Sequence, residues 1–156
     1  MPHSIHLIAH DIRSRENVGA LFRMADALGV TKIWLSGYTP APPDEKISKT
    51  ALGAETWISF EHHVSIDQVF ARLSEENIPC YALERVSGAM MLPMQKPSES
   101  TIALLLGTET TGIPQSLLER CAGVIQIPQV GKKESLNVSM AAAIAVWEWR
   151  REDFSV

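Results

Sequence analysis

The sequence contains few cysteines and no long apolar run. Cys80 and Cys121 stand far apart and outside any CxxC pair, which excludes a disulfide framework and a zinc ribbon and fits a reducing compartment. No apolar stretch reaches the ~18 residues of a membrane-spanning helix, and the N-terminus lacks a basic segment followed by an apolar one. We therefore expect a cytoplasmic protein that is neither secreted nor inserted into a membrane.

The chain also lacks an excess of positive charge, because its formal net charge is −4 at pH 7. That total does not favour binding to polyanions, so any contact with nucleic acid has to depend on local basic sites. The 156 residues, of which 46% are hydrophobic and 21% charged, are typical of one globular domain with a sizeable core. This composition excludes a disordered or collagen-like protein.

Short aliphatic segments alternate with stretches of helical period. Strands are predicted at 4–9, 32–35, 57–60, 80–83, 101–106 and 124–127, and the fully apolar segment 101–106 is expected at the centre of the sheet. Helices are predicted at 17–28, after a Ser65–Gln68 capping box, at 114–123 and at 136–151, with Gly29 ending the first. The proline-containing segments 38–46 and 90–100 are predicted to be irregular. This order indicates an α/β domain with a mostly parallel sheet flanked by helices.

The last predicted helix is apolar almost all round. Between Ala141 and Trp149 the only charged residue is Glu148. Such a helix needs cover on two sides, and in a small protein the sheet supplies one side and a second copy the other. We therefore expect a homodimer through this helix; the alternative is that Trp147 or Trp149 is a partly exposed aromatic residue.

The segment 17–23, NVGALFR, is the first with chemical content. Asn17 stands at the position expected for the N-cap of a helix. Gly19 would lie in the first turn, where glycine lowers helix stability relative to alanine. Arg23 is four residues further on the same face, so we expect its guanidinium to lie over a gap left at Gly19 and to bind an anionic oxygen. The alternative is a surface arginine paired with Asp26.

Two further segments follow predicted strands, at the edge where open α/β sheets bind ligands. The segment 106–112, LGTETTG, carries two glycines that permit close backbone approach but fits neither the dinucleotide nor the P-loop spacing. Its Glu109 is a candidate site residue; the alternative is a carboxylate that caps a helix N-terminus. The segment 135–139, SLNVS, places three small polar residues at a helix N-terminus, more than capping requires, next to Lys132 and Lys133. For that lysine pair, the simpler interpretation is a solvated basic loop.

In this order, NVGALFR, LLLGTETTGIP and IPQVGKKESLNVSMAAAIA resemble the three motifs of the SpoU/TrmH family of the SPOUT superfamily, over nearly the whole chain. The resemblance implies S-adenosylmethionine (SAM)-dependent methylation of a ribose 2′-hydroxyl in RNA, a homodimer, and a C-terminal deep trefoil knot, an exception to the rule that chains avoid knots. It implies a catalytic Arg23 supported by Asn17, with Glu109, Ser135 and Asn137 around the substrate. The implied cofactor-binding residues are Leu83, Leu106, Gly107, Glu109, Gly112, Ile127, Pro128, Leu136 and Ser139.

A positive groove across the dimer is our hypothesis for RNA binding. Its residues are Arg13, Arg15, Arg23, Lys49, Lys132 and Lys133. We favour tRNA because the chain begins at its first strand and ends after its last helix, as in members without an added RNA-binding domain. The alternatives are an rRNA methyltransferase, a cofactor- and RNA-binding protein without turnover, and a nicotinamide dehydrogenase. The absence of the dinucleotide-binding glycine motif argues against the dehydrogenase. We expect no metal, because Glu61-His62-His63 has no evident further ligand.

Overall fold

The computed structural model describes residues 3–93 and 97–154, which contain a single seven-stranded sheet. The strands are β1 (Ser4–His10), β2 (Lys32–Ser36), β3 (Phe60–His63), β4 (Cys80–Leu83), β5 (Met90–Met91), β6 (Thr101–Leu106) and β7 (Gly123–Gln126). They lie in the order β3-β2-β1-β6-β4-β7-β5. All pairings between these strands are parallel, which confirms the predicted mostly parallel α/β architecture.

The described part of the chain contains five α-helices, of which the first four lie between strands and the last follows β7. They are α1 (Arg15–Leu28), α2 (Glu45–Ala51), α3 (Ile66–Glu75), α4 (Gln115–Leu118) and α5 (Val138–Arg150). The predicted capping box opens α3, and Gly29, with φ 70°, ends α1 in the left-handed conformation. No helix in residues 3–93 and 97–154 is long and apolar enough to cross a bilayer.

The core has two layers, one on each face of the sheet. α1 and α5 cover one face with side chains that include Phe22, Val146 and Trp149, all nearly inaccessible to solvent. α3 and α4 cover the other face, where Val69 and Leu73 pack close to Trp34. β6 lies between β1 and β4 with Ile102–Leu106 buried, so the prediction of a central strand at 101–106 is confirmed.

Several predicted boundaries were wrong. The strand predicted at 57–60 is Phe60–His63, because a 3-10 turn at Ala54–Thr56 leaves Trp57 outside the sheet, with its indole N–H donating to Asp26. The loop predicted at 38–46 gives way at its end to α2, which Asp44 caps by accepting the amides of Lys46 and Ile47. α4 is shorter than the predicted 114–123, and β5 lies within the predicted irregular segment 90–100, of which 94–96 lie outside the described residues.

Candidate active site

A cavity of about 920 Å³ lies at the carboxyl ends of β4, β6 and β7, beside the N-terminus of α5. Its walls contain most of the predicted cofactor residues, namely Leu83, Leu106, Gly107, Glu109, Gly112, Ile127 and Leu136, together with the predicted site residues Ser135 and Asn137. Pro128 and Ser139 are not among the residues that line it. The position agrees with the rule that open parallel sheets bind ligands where their strands end.

The backbone after β6 folds tightly into this cavity. A Cβ atom at Gly107 would lie 2.9 Å from backbone atoms of Gly112 and Ile113, so only glycine permits the loop to close there. The Thr108 hydroxyl accepts the amide of Thr111 at 3.0 Å, and Thr108 and Gly112 form an antiparallel bridge. The segment 107–113 is therefore a compact loop, and all of its residues line the cavity.

Three polar side chains, one from each sequence motif, form a hydrogen-bonded cluster at the cavity wall. The Asn17 amide donates to Glu109 Oε1 at 3.3 Å, and the Asn137 amide donates to Asn17 Oδ1 at 3.1 Å. Glu109 also accepts the backbone amides of Arg13 and Ser14 at 3.4 Å. Chain segments more than ninety residues apart in sequence thus meet through side chains that can orient a polar substrate.

The expected helix-capping role of Asn17 was wrong. Ser14 caps α1, with its hydroxyl accepting the amide of Asn17 at 3.1 Å. Asn17 lies in the first turn, which leaves its side chain available for the cluster. Asn137 does cap its helix, since its Oδ1 accepts the amides of Ser139 at 2.9 Å and Met140 at 3.3 Å.

The expected gap beside Gly19 is also contradicted. Gly19 is buried, and a Cβ atom there would overlap the Thr50 hydroxyl and the Ile47 carbonyl oxygen. The glycine lets α1 and α2 approach closely, and α2 was not among the predicted helices. No room for a ligand is left at this position.

Replacing Gly19 with alanine is therefore expected to lower the free energy of unfolding by a net ~1–2 kcal/mol, since overpacking costs up to ~3 kcal/mol. The overlap with α2 outweighs the ~1 kcal/mol that alanine gains over glycine in a helix. Urea denaturation measures the change. Gly131→Ala is the matched control, because a Cβ there meets nothing within 4 Å. A Gly19→Ala protein more stable than the parent would contradict the close packing and support the expected gap beside Gly19.

Arg23 lies apart from the cavity of its own chain. It is exposed and lines a shallow depression on α1 and α2 together with Lys49 and Thr50. Asp26, its alternative partner, instead accepts the Trp57 indole N–H at 2.7 Å. The structure thus unites Asn17, Glu109 and Asn137 in one protomer but does not bring Arg23 to them.

The other predicted basic residues have separate surroundings. Arg15 donates to Asp44 at 2.8 Å, so part of its charge is balanced. The guanidinium carbon of Arg13 lies 5.6 Å from the centre of the Tyr38 ring. Lys132 and Lys133 are exposed in the loop before α5. None of these four side chains lines the cavity or the depression beside Arg23.

Several residues of the cavity wall were missed from sequence, and two of them, Glu84 and Arg85, link its parts. The Glu84 carboxylate accepts the amide of Ile113 at 2.8 Å, tying the end of β4 to the loop after β6. Arg85 donates to the carbonyl of Glu134 at 3.0 Å, which links that edge to the loop before α5. Both directly follow the predicted strand 80–83, so the strand-end rule that selected Gly107 could have found them.

The histidines next to Glu61 have ordinary partners. His63 Nε2 lies 3.2 Å from Glu61, whereas His62 Nε2 lies 3.1 Å from the carbonyl oxygen of Thr39. Within residues 3–93 and 97–154, no three His, Cys, Asp or Glu side chains are grouped to hold a metal. At the end of β1, burial lowers the pKa of His10, and this effect outweighs the opposite effect of the Asp11 carboxylate 3.4 Å away. The His10 imidazole is therefore neutral at pH 7.

The comparison with known sequences agrees with the three motifs. The family model of the SpoU rRNA Methylase family matches residues 4–147. The chain belongs to this family. A tRNA (guanosine(18)-2′-O)-methyltransferase of Thermus thermophilus is 28% identical over 149 residues, covering 94% of this chain and 74% of that protein. A 23S rRNA (guanosine-2′-O-)-methyltransferase of Xanthomonas axonopodis pv. citri is 28% identical over 146 residues, covering 94% of this chain and 58% of that protein.

Solved structures of this family have the same fold. An AdoMet-bound rRNA methyltransferase from Sinorhizobium meliloti superimposes with a TM-score of 0.89 and 25% identity, covering 99% of this chain and 59% of that one. A structure described as giving insights into the 2-OH methylation of C/U34 on tRNA has a TM-score of 0.85 and 25% identity, covering 97% of both chains. The chain thus spans between 58% and 97% of the length of these four relatives.

Proposed function

We propose that this protein transfers a methyl group from SAM to a ribose 2′-hydroxyl of RNA, with tRNA as the favoured substrate. The observation that carries the proposal is the hydrogen-bonded cluster of Asn17, Glu109 and Asn137 beside the cavity. Relatives named as 2′-O-methyltransferases of tRNA and rRNA support the reaction. The preference for tRNA is supported by the match over 97% of both chains to the structure concerned with C/U34.

The residues of the cavity fit SAM. Its volume of about 920 Å³ suits a small-molecule ligand, and Leu83, Leu106, Ile127 and Leu136 offer apolar walls for an adenine ring. The backbone of the compact loop at 107–113 supplies hydrogen-bonding groups at the same place. When bound, SAM supplies an electrophilic methyl group attached to a positively charged sulfur.

The trefoil knot implied by the motifs is part of the proposal. Its support is that three loops, at 83–86, 106–113 and 126–138, line one cavity. The strands before them are not in chain order, since β6 lies between β1 and β4. A chain that passes through a loop of itself would fix these walls relative to one another. Such a fixed cavity needs little rearrangement to bind its ligand.

In the proposed mechanism, Arg23 acts as a fixed cation. Its guanidinium contacts the phosphate beside the target ribose and stabilises the negative charge that develops on the 2′-oxygen. Asn17 and Asn137 hold the ribose in line for attack. The 2′-oxygen forms the new C–O bond as the C–S bond breaks, and its proton passes to water.

A homodimer would bring Arg23 to a cavity. On α5, Met140, Ile144 and Trp147 are exposed by 62%, 43% and 50%, and their spacing places them on one face. The neighbouring α1 adds Ala20 and other small or apolar residues beside Arg23. We call this combined face of α1 and α5 the dimer face. In the proposed dimer two such faces pair, with Arg23 beside the partner's cavity. The support is that α1, which carries Arg23, packs on α5, and that the cavity lies beside the N-terminus of α5.

Reversing charge at Arg13 and Lys132 together, by substitution with glutamate, is expected to weaken RNA binding about 10- to 100-fold. It should also lower the slope of log affinity against log salt by about 1–2, because each lost phosphate contact removes counterion release. Filter binding across a salt series measures both. The control is Arg120→Glu, at an arginine whose guanidinium pairs with Asp67 in the first turn of α3. Unchanged affinity in the double variant would remove the basic groove from the proposal.

The reaction itself is tested with methyl-labelled SAM and total RNA from cells that lack the gene. Label in the tRNA fraction, followed by mapping of 2′-O-methyl groups, is the expected result. Label confined to rRNA would transfer the proposal to that substrate. Cofactor binding without label in any RNA would replace it with a cofactor- and RNA-binding protein that has no turnover.

A further inference from the structure

One exposed aromatic side chain next to the polar cluster has no part in the mechanism above. Tyr38 follows β2 at the carboxyl edge of the sheet, where the cavity also opens, and 54% of its surface is accessible to solvent. It is connected to the cluster through one residue: Arg13 donates its backbone amide to Glu109, and its guanidinium lies over the Tyr38 ring. The ring therefore stands beside the cluster but outside the cavity.

The backbone that carries Tyr38 is fixed on both sides. Its amide donates to the Asp11 carboxylate at 3.1 Å, and that carboxylate occupies the space where Gly37, with φ 65°, would carry a side chain. The next residue, Thr39, is buried, with its hydroxyl accepting the amide of Ile12 at 3.0 Å and donating to the carbonyl of Ala9 at 2.9 Å. An exposed ring on a fixed backbone loses little conformational entropy when a ligand covers it.

The pair formed by Tyr38 and Arg13 has the chemistry that unpaired nucleotides require. Nucleobases stack on aromatic rings and on guanidinium planes, and a neighbouring phosphate is attracted by the same cation. Arg13 lies over the ring, yet more than half of Tyr38 stays accessible, so the pair can still receive a planar group. A duplex would not fit this role, because its bases are already stacked on one another.

We infer that Tyr38 and Arg13 form a stacking platform for an unpaired base of the RNA, adjacent to the nucleotide whose ribose is methylated. This inference rests on the proposed function. The platform selects substrates in which the target lies in a loop or single strand, and it does so without reading the sequence of the stacked base. Tyr38 is thus a specificity-determining residue that touches the RNA and takes no part in the chemical step.

The test compares Tyr38→Leu with Tyr38→Phe. Leucine retains apolar cover for Arg13 but has no planar face, whereas phenylalanine retains the ring. With methyl-labelled SAM and total RNA from cells that lack the gene, Tyr38→Leu should raise the KM for RNA about 10-fold, within the range measured for loss of one stacked base. Tyr38→Phe should stay within about 2-fold, and the dissociation constant of SAM should be unchanged in both.

Trp57→Leu is the matched control, since Trp57 is also an exposed aromatic residue, but it bonds Asp26 at the far end of α1. An unchanged KM in Tyr38→Leu would overturn the platform while the methylation by the parent protein stood. Equal losses in Tyr38→Leu and Tyr38→Phe would also overturn it, because the hydroxyl rather than the ring would then matter. Absence of methylation by the parent protein is a failure of the proposed function and is seen separately.

Discussion

Substitution of Arg23 by alanine is expected to abolish methyl transfer, with a loss of at least about 100- to 1000-fold in kcat, the effect of removing one donor that stabilises a developing oxyanion. The 2′-hydroxyl of a ribose is a weak acid, so charge on its oxygen is the main obstacle, and Arg23 is the cation proposed to oppose it. The affinity for SAM should change little, because Arg23 is proposed to contact the RNA phosphate and the 2′-oxygen, and it is not among the residues that line the cavity. Single-turnover kinetics with labelled SAM measure the first quantity and calorimetry the second.

Two further variants show whether the guanidinium itself matters. Arg23→Lys keeps the charge but loses the planar pair of donors, so it should recover only a small part of the activity. Arg120→Ala removes an arginine that pairs with Asp67 away from the cavity, and it should methylate at nearly the parent rate. Turnover by Arg23→Ala within a few-fold of the parent would exclude Arg23 from the chemical step.

Most strands and four of the five helices in the described residues were predictable because their signals are local. The apolar run Thr101–Leu106 matches β6, and the capping residues Ser65 and Gln68 open α3 as expected. α2 was hidden because it buries only Ile47 and Ala51 and begins directly after a proline-rich loop. Because α2 has only seven residues, two of them buried, its apolar pattern does not repeat often enough to be recognised.

Contacts between distant segments account for the mistakes at the site. Gly19 is explained by α2, which lies more than twenty-five residues further along the chain, so an argument confined to α1 assigned it a ligand. Ser14 and Asn17 are both suitable capping residues, and only the backbone shows which of them precedes the helix. The thiols of Cys80 and Cys121 lie 4.0 Å apart because β4 and β7 are neighbours, which their spacing in the sequence does not indicate.

The site residues themselves could be found because chemistry is concentrated where parallel strands end. Gly107 and Glu109 follow β6, and Asn137 opens the helix after β7, so their position was predictable before their contacts were known. Arg23 is different, because it lies apart from the cavity of its own chain and is proposed to act in the cavity of a second one. That proposal leads to the sharpest test of the proposed dimer.

Two inactive variants are expected to restore activity when they are combined in one dimer. Arg23→Ala removes the cation, and Leu136→Trp fills the cavity, since Leu136 is one of its wall residues and is exposed enough to be enlarged without disturbing the core. If Arg23 acts in the partner's cavity, the mixed dimer contains one site with an intact cavity and an intact arginine. Its methyl transfer should therefore reach about half that of the parent dimer, although each variant alone is inactive.

Co-expression with two different tags isolates the mixed dimer, and its activity is compared with that of each variant dimer. Ile144→Glu in both chains provides the control, because a carboxylate on the dimer face should separate the subunits, as sedimentation velocity would show, and abolish the restored activity. Val64→Glu adds the same charge to another exposed apolar residue, outside the dimer face, and should leave it intact. A mixed dimer as inactive as its parents would place Arg23 in the cavity of its own chain and require α1 to move toward it.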